Sequence, residues 1–238
     1  MRILSFDTST GDLHLSLLID REPVFERLVQ PSSIERQEVA QLIMPEIDRA
    51  FHEAKWRKNE LELVVVGVGP GSFTSIRVAV ITARTLAQIF KLPLVGVTLL
   101  DTYYFATGVK EPAAIVLGST PPSCFYASFG PSPSDPVDGH LKPSVAPVAV
   151  LKDHLGALAA CFADEKAAKL LGEYPHQPLP KLKNVGTIQA QLAWDRLSLN
   201  GFALETFAWQ NVLPLYIRDP SVTIKKNYAP AHPANEPR

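Results

Sequence analysis

An uninterrupted apolar run, a glycine-containing turn and an apolar helix pattern follow one another between residues 61 and 90. Residues 61–68 are rich in β-branched side chains, which is typical of a parallel strand covered on both faces. The turn is Gly69-Pro70-Gly71-Ser72. Such a strand–turn–helix unit predicts an α/β fold, in which the turn either binds a phosphate or positions an important helix.

The segments around this unit complete a mixed α/β first half. Three amino-terminal strands with alternating or continuous apolar residues predict an antiparallel meander. The next helix begins at a serine cap, Ser32 or Ser33, and contains Pro45, which should kink it. The predicted strands are 3–8, 13–19, 24–29, 61–68 and 94–97, and the predicted helices are 33–54, 73–90 and 99–107.

The second half is predicted to contain more loops, because most of the 21 prolines lie there. A proline- and serine-rich loop without periodicity is predicted at 130–147, and the tail from Lys225 is predicted to be disordered. The predicted elements are strands at 113–117, 125–129 and 145–151, helices at 164–171 and 189–199, and an apolar segment at 213–218.

Composition excludes several classes of protein. The net charge of −1 provides no bulk attraction to nucleic acid or membranes. Cys124 and Cys161 are too few for a disulfide framework, and the six histidines have no metal-ligand spacing. No apolar run is long enough to span a bilayer, and no Gly-x-Ser-x-Gly motif is present. We therefore expect a cytoplasmic protein without a metal, a membrane contact or a nucleophilic catalytic residue.

One candidate site is a weak anion-binding site at the ends of two strands. Asp7 ends the first strand and is followed by Thr8, Ser9 and Thr10, whose backbone N–H groups can form an anion nest. Gly71 and Ser72 begin the helix after the glycine turn, but this turn lacks the lysine and the spacing of a P-loop. The alternative is purely local: a hairpin start and a rigid turn.

The second candidate site is a partner interface on the helix after the turn. This helix is apolar almost all round, so it must be buried on more than one side, and small residues recur along it every three or four positions. The alternative is an interior helix covered by the rest of the chain. The predicted interface residues are Ser72, Ser75, Ile76, Ala79, Thr82, Ala83 and Leu86, with Ile43 and Ile47 from the preceding helix.

Four segments of the chain resemble the TsaB (YeaZ) family. They are ILSFDTST at 3–10, GVGPGSFTSIR at 67–77, LPLVGV at 92–97 and PLYIR at 214–218. The resemblance implies a two-lobe fold of the actin/Hsp70 type with ribonuclease-H-like topology. It also implies an amino-terminal lobe at 1–107, a divergent carboxy-terminal lobe at 108–224 and a tail at 225–238.

The resemblance further implies a non-catalytic partner of a TsaD-like catalytic subunit. Together with a TsaE-like ATPase, such proteins make threonylcarbamoyladenosine on tRNA. In this interpretation the two helices of the first lobe bind TsaD or a second copy of the chain. Contact with tRNA occurs only through the complex, and no cofactor is needed beyond weak nucleotide binding.

This sequence departs from the family pattern at several positions. Val39 and Ala40 replace the usual His-Ser pair, and Ser75 and Ala79 replace two glycines. The second lobe begins with Gly-Ser-Thr at 118–120 rather than Asp-Ala-Arg. The competing hypothesis is an ATP-dependent phosphotransferase or hydrolase of the same superfold, which would need a second phosphate loop that is not recognisable after residue 113.

Overall fold

A mixed five-stranded sheet organises the first part of the computed structural model, which describes residues 1–30, 38–130, 143–156, 158–199, 201–203 and 207–217. The strand order is β3-β2-β1-β4-β5; β1, β2 and β3 are antiparallel, whereas β1, β4 and β5 are parallel. Its elements are β1 (Arg2–Asp7), β2 (Leu13–Ile19), β3 (Glu22–Val29), α1 (Glu38–Glu53), β4 (Leu63–Gly69), α2 (Phe73–Phe90), β5 (Leu94–Thr98) and α3 (Leu99–Thr107).

The second sheet repeats this arrangement. Its order is β10-β9-β6-β7-β8, with β6 at the centre. β7 is antiparallel to both β6 and β8, and β9 is parallel to β6. The elements are β6 (Ala113–Gly118), β7 (Ser123–Phe129), β8 (Ser144–Pro147), α4 (Val148–Leu155), β9 (Ala160–Ala163), α5 (Glu165–Leu171), β10 (Gln177–Pro178) and α6 (Val185–Leu199). Two mixed sheets of matching topology, flanked by helices, confirm the predicted fold class.

The predicted elements of the first half are confirmed within a few residues, except where they reach 31–37, which lies outside the described residues. Pro45 lies inside α1. The strand predicted at 145–151 is wrong beyond Pro147, because 148–155 is α4. Val148, Leu151 and Leu155 are all buried, which is the helical spacing rather than the alternation of a strand. The predicted lobe boundaries stay a prediction, and the disordered tail at 225–238 falls outside the described residues.

Helices cover both faces of the first sheet. On one face, α1 and α2 bury Leu4, Phe6, Val64 and Val66 in a continuous core. On the other face, α6 places Ala190, Ala193 and Leu197 against Ile3 and Val65. Both faces of β4 are therefore dry, as its apolar run predicts. Although α6 follows the second sheet in the chain, it packs on the first.

The closing segment 207–217 covers the flank of α2. The Leu215 N–H donates to the Val68 carbonyl (2.9 Å), and the Tyr216 ring packs on Phe73 with 4.9 Å between centroids. Farther along α2, the Arg84 guanidinium lies 5.5 Å from the Trp209 ring centroid. The segment therefore runs antiparallel to the helix. The second cover that an apolar helix requires is supplied by the chain itself.

Candidate functional site

The turn between β4 and α2 is packed directly against the turn after β1. A Cβ atom at Gly71 would lie 2.1 Å from the Ser9 carbonyl oxygen, so only glycine allows this approach. Gly69 has φ of 106°, a backbone conformation that favours glycine. The glycines of this motif are therefore explained by close packing and backbone geometry.

Asp7 is a buried carboxylate satisfied by neutral donors. It accepts hydrogen bonds from the Ser9 N–H (2.7 Å), the Ser9 hydroxyl (3.0 Å) and Gln189 Nε2 (2.8 Å). A Cβ atom at Gly67 would lie 1.5 Å from Asp7 Oδ2, so Gly67 makes room for the carboxylate. These contacts hold Asp7 as an internal anchor between β1 and α6.

This geometry separates the residues of the predicted anion site, and anion binding there stays a prediction. Asp7, Thr8 and Ser9 are buried, because β1 ends beneath α6 and their polar groups face the interior. Thr10 and Ser72 are exposed, and Gly71 lies against Ser9. Residues predicted as one anion-binding cluster are thus divided between the interior and the surface. Weak nucleotide binding stays a prediction.

The amino end of α6 is attached to β2 through buried polar groups. The His14 ring accepts a hydrogen bond at Nδ1 from the Val185 N–H (3.3 Å), and its Nε2 lies 3.1 Å from the Thr10 hydroxyl. Burial lowers the pKa of His14, although Asp7 and Asp12 oppose that shift. His14 is therefore a neutral acceptor toward α6.

Further polar contacts extend this attachment. The hydroxyls of Ser16 and Thr187 are 2.7 Å apart, and Asn184 Nδ2 donates to the Leu15 carbonyl at 3.3 Å. Sequence reasoning missed the roles of Asn184, Thr187 and Gln189. Only Gln189 falls in the predicted helix at 189–199, and the partners of all three residues are far away in the chain.

A cleft of about 720 Å³ lies between the turn after β1 and the elements around α5. Apolar side chains such as Leu28, Leu179 and Leu182 form part of its walls. Polar side chains line the remainder, namely Thr10, Asp12, His14, Tyr103, Asp164, Glu165, His176 and Lys181. Carboxylates outnumber the lysine, so the cleft is better suited to a cation than to a phosphate.

The residues of the predicted partner interface lie mostly in the interior of this chain, and the interface itself stays a prediction. The small residues of α2 let the helix approach its own sheet and α1, rather than a partner. Thr82 and Leu86 are half-buried and Ser72 is exposed. The buried members of the predicted set are Ser75, Ile76, Ala79 and Ala83 on α2 and Ile43 and Ile47 on α1.

A different row of residues forms the outward face of these helices. On α2 the row runs through Thr74, Val78, Ile81 and Thr85, at spacings of four, three and four residues. Ile81 is 56% exposed, and Met44 on α1 is 42% exposed. We call these five residues the outer helix face. Spacing of this kind forms one continuous stripe along a helix.

We also searched the described part of the chain for metal ligands, reactive thiols and membrane-spanning helices. No three His, Cys, Asp or Glu side chains there come together as metal ligands. Burial raises the pKa of Cys124 and raises that of Cys161 to about 11, so both thiols are protonated at neutral pH. Among the helices of the described residues, none has the length and apolar character needed to cross a membrane.

Comparisons with known proteins give sequence relatives and structural neighbours. The family model described as "TsaD: tRNA N6-adenosine threonylcarbamoyltransferase" matches residues 29–130. The Bacillus subtilis "tRNA threonylcarbamoyladenosine biosynthesis protein TsaB" is 29% identical over 102 residues, which are 43% of each chain. A Persephonella marina tRNA N6-adenosine threonylcarbamoyltransferase is 26% identical over 47% of this chain and 36% of its own length.

The curated relatives are matched over part of their length, whereas a structural neighbour is matched almost completely. This chain covers between 36% and 53% of the first curated relatives. YeaZ from Pseudomonas aeruginosa superimposes with a TM-score of 0.68 at 17% identity, over 90% of this chain and 99% of that one. The superposition shows the fold. The chain is therefore similar in sequence to TsaB over 43% of its length, and it has the fold of YeaZ.

Proposed function

We propose that this chain is a non-catalytic subunit in the synthesis of threonylcarbamoyladenosine on tRNA. In this proposal it binds a TsaD-like catalytic subunit, and a TsaE-like ATPase acts through the same cytoplasmic complex. Its sequence relatives are named for this modification, either as TsaB or as the threonylcarbamoyltransferase. The observation that carries the proposal is the outer helix face.

The outer helix face supports docking of a helical partner. Ile81 and Met44 present apolar side chains to solvent on neighbouring helices, beside the small polar Thr74 and Thr85. Val78, between them on α2, is half-buried against the core. Helices pack through such rows with their axes about 8–10 Å apart. We propose that this face contacts helices of the TsaD-like subunit, and that it mediates a homodimer when the chain is alone.

A non-catalytic role is supported by the burial of the candidate catalytic groups and by their hydrogen bonding and protonation. The Asp7 carboxylate accepts three hydrogen bonds from Ser9 and Gln189 and lies in the interior. The thiols of Cys124 and Cys161 are buried and protonated. In this proposal the chain organises a complex whose chemistry takes place on the other subunit.

Mixing this chain with the TsaD-like subunit of the same organism tests the proposal. We expect a complex by size-exclusion chromatography at micromolar concentration. Ile81→Arg should abolish the complex, because it places a charge at the centre of an apolar contact. Val150→Arg is the matched control, since Val150 is 47% exposed on α4, away from the outer helix face. Wild-type chains that elute separately would overturn the proposed partnership.

The second candidate function is an ATP-dependent phosphotransferase or hydrolase. Its supporting observation is the cleft beside the β1–β2 turn, where Thr10 and Asp12 line the wall. Calorimetric titration with Mg-ATP distinguishes the two functions. Binding tighter than millimolar, accompanied by phosphate release, would favour the enzyme. If Mg-ATP does not bind, the non-catalytic subunit is favoured over the enzyme.

A further inference from the structure

Two carboxylates face the cleft without a cation partner among the described residues. Asp12 is 3.5 Å from Gln30 Nε2. Asp164 caps α5 and accepts hydrogen bonds from the Ala167 N–H (2.7 Å) and the Gly118 N–H (3.0 Å). Neither takes part in an ion pair in the described part of the chain. The cleft thus offers uncompensated negative charge.

The cleft also has apolar walls that a small cation would leave uncovered. Leu28 of β3 faces the cleft with Leu179 and Leu182, which lie between β10 and α6. Leu28 is exposed to solvent despite its size. An occupant that carries both cationic and apolar side chains would satisfy both parts of this lining.

The sequence beyond the described residues contains such an occupant. Residues 222–228 read Val-Thr-Ile-Lys-Lys-Asn-Tyr, which places a pair of lysines between Ile224 and Tyr228. The whole stretch 218–238 contains four lysines and arginines against two acidic residues. Its charge is therefore complementary to a cleft lined by three carboxylates and one lysine, although Glu165 already pairs with Lys169 at 3.2 Å.

Residue 217, the last described residue, is close enough to the cleft for the lysine pair to reach it. Leu215 is hydrogen-bonded to Val68, at the end of β4 that leads into the glycine turn. Gly71 of that turn lies against Ser9, and the following residue, Thr10, lines the cleft. Eight residues from Ile217 to Lys225 span at most about 28 Å when extended. The lysine pair can therefore reach the cleft within the same molecule.

We propose that residues 222–228 dock in the cleft of their own chain, with Lys225 and Lys226 beside Asp12, Asp164 and Glu165 and with Ile224 and Tyr228 on the leucine walls. The cleft is then an intramolecular docking site that its own tail occupies. This inference goes beyond the proposed function and does not depend on it, because the outer helix face plays no part in it.

The experiment uses the full-length chain with a benzophenone amino acid replacing Tyr228. Irradiation should cross-link position 228 to peptides containing Leu28, Leu179 or Leu182, identified by mass spectrometry. Mixing isotopically heavy and light protein separates links within one chain from links between chains. Links found only between chains, or only outside the cleft, would overturn the proposal.

Charge variants test the role of the lysines. K225E/K226E should lower the yield of cleft cross-links about tenfold, which corresponds to two exposed ion pairs of about 0.7 kcal/mol each. Arg238→Glu, in the same tail but outside 222–228, is the control and should change the yield little. Combining K225E/K226E with D12K/E165K should restore it. A yield insensitive to K225E/K226E would overturn the ionic part of the docking.

Discussion

Gln189 of α6 donates a hydrogen bond of 2.8 Å to the carboxylate of Asp7, which ends β1. The two residues are separated by 182 positions in the chain, and both are fully buried. This contact attaches α6, which follows the second sheet, to the strand at the centre of the first sheet. It also explains why an aspartate can be retained in the interior with no cation beside it in the part of the chain that the structure describes.

Gln189→Leu should destabilise the protein, because Asp7 loses a buried donor that water cannot replace. We expect the free energy of unfolding to fall by about 1–3 kcal/mol. Urea denaturation followed by circular dichroism measures the change. Gln191→Leu is the control: Gln191 bonds the Arg21 carbonyl in an exposed contact, so its loss should cost about 0.5 kcal/mol or less. Equal losses in both variants would contradict an anchoring role for Gln189.

Stability should fall in mild acid because of His14. Its pKa in the folded state lies below the ordinary value of 6.5, so the unfolded chain binds a proton more readily. Its contribution is therefore fully present above pH 6.5 and decreases as the pH falls through 6.5 toward the folded-state pKa. Protonation would also put a donor at Nδ1 opposite the Val185 N–H.

Thermal unfolding of wild type and His14→Gln between pH 7.5 and 5 measures this effect. The glutamine variant keeps a side-chain acceptor but cannot titrate, so its melting temperature should depend less on pH in this window. A parallel decline in both proteins would assign the acid sensitivity to other groups.

Gly67→Ala should be strongly destabilising, since the new methyl group would lie 1.5 Å from Asp7 Oδ2. We expect a loss of about 3 kcal/mol, at the upper end of the range for overpacking a core. Differential scanning fluorimetry gives the shift in melting temperature. The control is Gly156→Ala, where the nearest atom would lie at 3.8 Å and the backbone is right-handed helical. An unchanged melting temperature for Gly67→Ala would mean that Asp7 can move aside.

Ala79→Arg and Ile81→Arg should behave differently, although the two positions are neighbours on α2. Ala79 is completely buried, so an arginine there leaves an uncompensated interior charge and should cost about 3–5 kcal/mol. Ile81 points outward, and its variant should stay folded. Soluble yield and far-ultraviolet circular dichroism separate the two outcomes. Two equally folded variants would contradict the assigned orientation of the helix.

The sequence predicted the first sheet well because its strands are long, apolar and bounded by clear turns. It did not predict which side of α2 faces outward. Small residues such as Ala79 and Ala83 allow close approach equally well to a partner or to the protein's own sheet. Only the three-dimensional packing of α2 on the sheet and α1 distinguishes these cases. The four segments that resemble the TsaB family nevertheless predicted the fold, because they fall on β1, on the β4–α2 turn, around β5 and on the closing segment.

The candidate site was harder to predict for the same reason. Asp7 and Gly71 look like phosphate-binding residues when each turn is considered alone. Their actual contacts, with Gln189 and Ser9, depend on how separate segments meet. The cleft depends even more on long-range packing, since its walls come from β3, α3, α5 and the segment before α6.

The placement of the closing segment constrains how the protein can be made. Phe207 accepts a hydrogen bond from the Leu94 N–H, and Leu215 bonds Val68, so late-synthesised residues cover the first sheet. While the ribosome is still translating the second half, α2 has an exposed apolar flank and β4 lacks α6 on one face. The amino-terminal sheet therefore reaches its final packing only after residue 217 has left the exit tunnel.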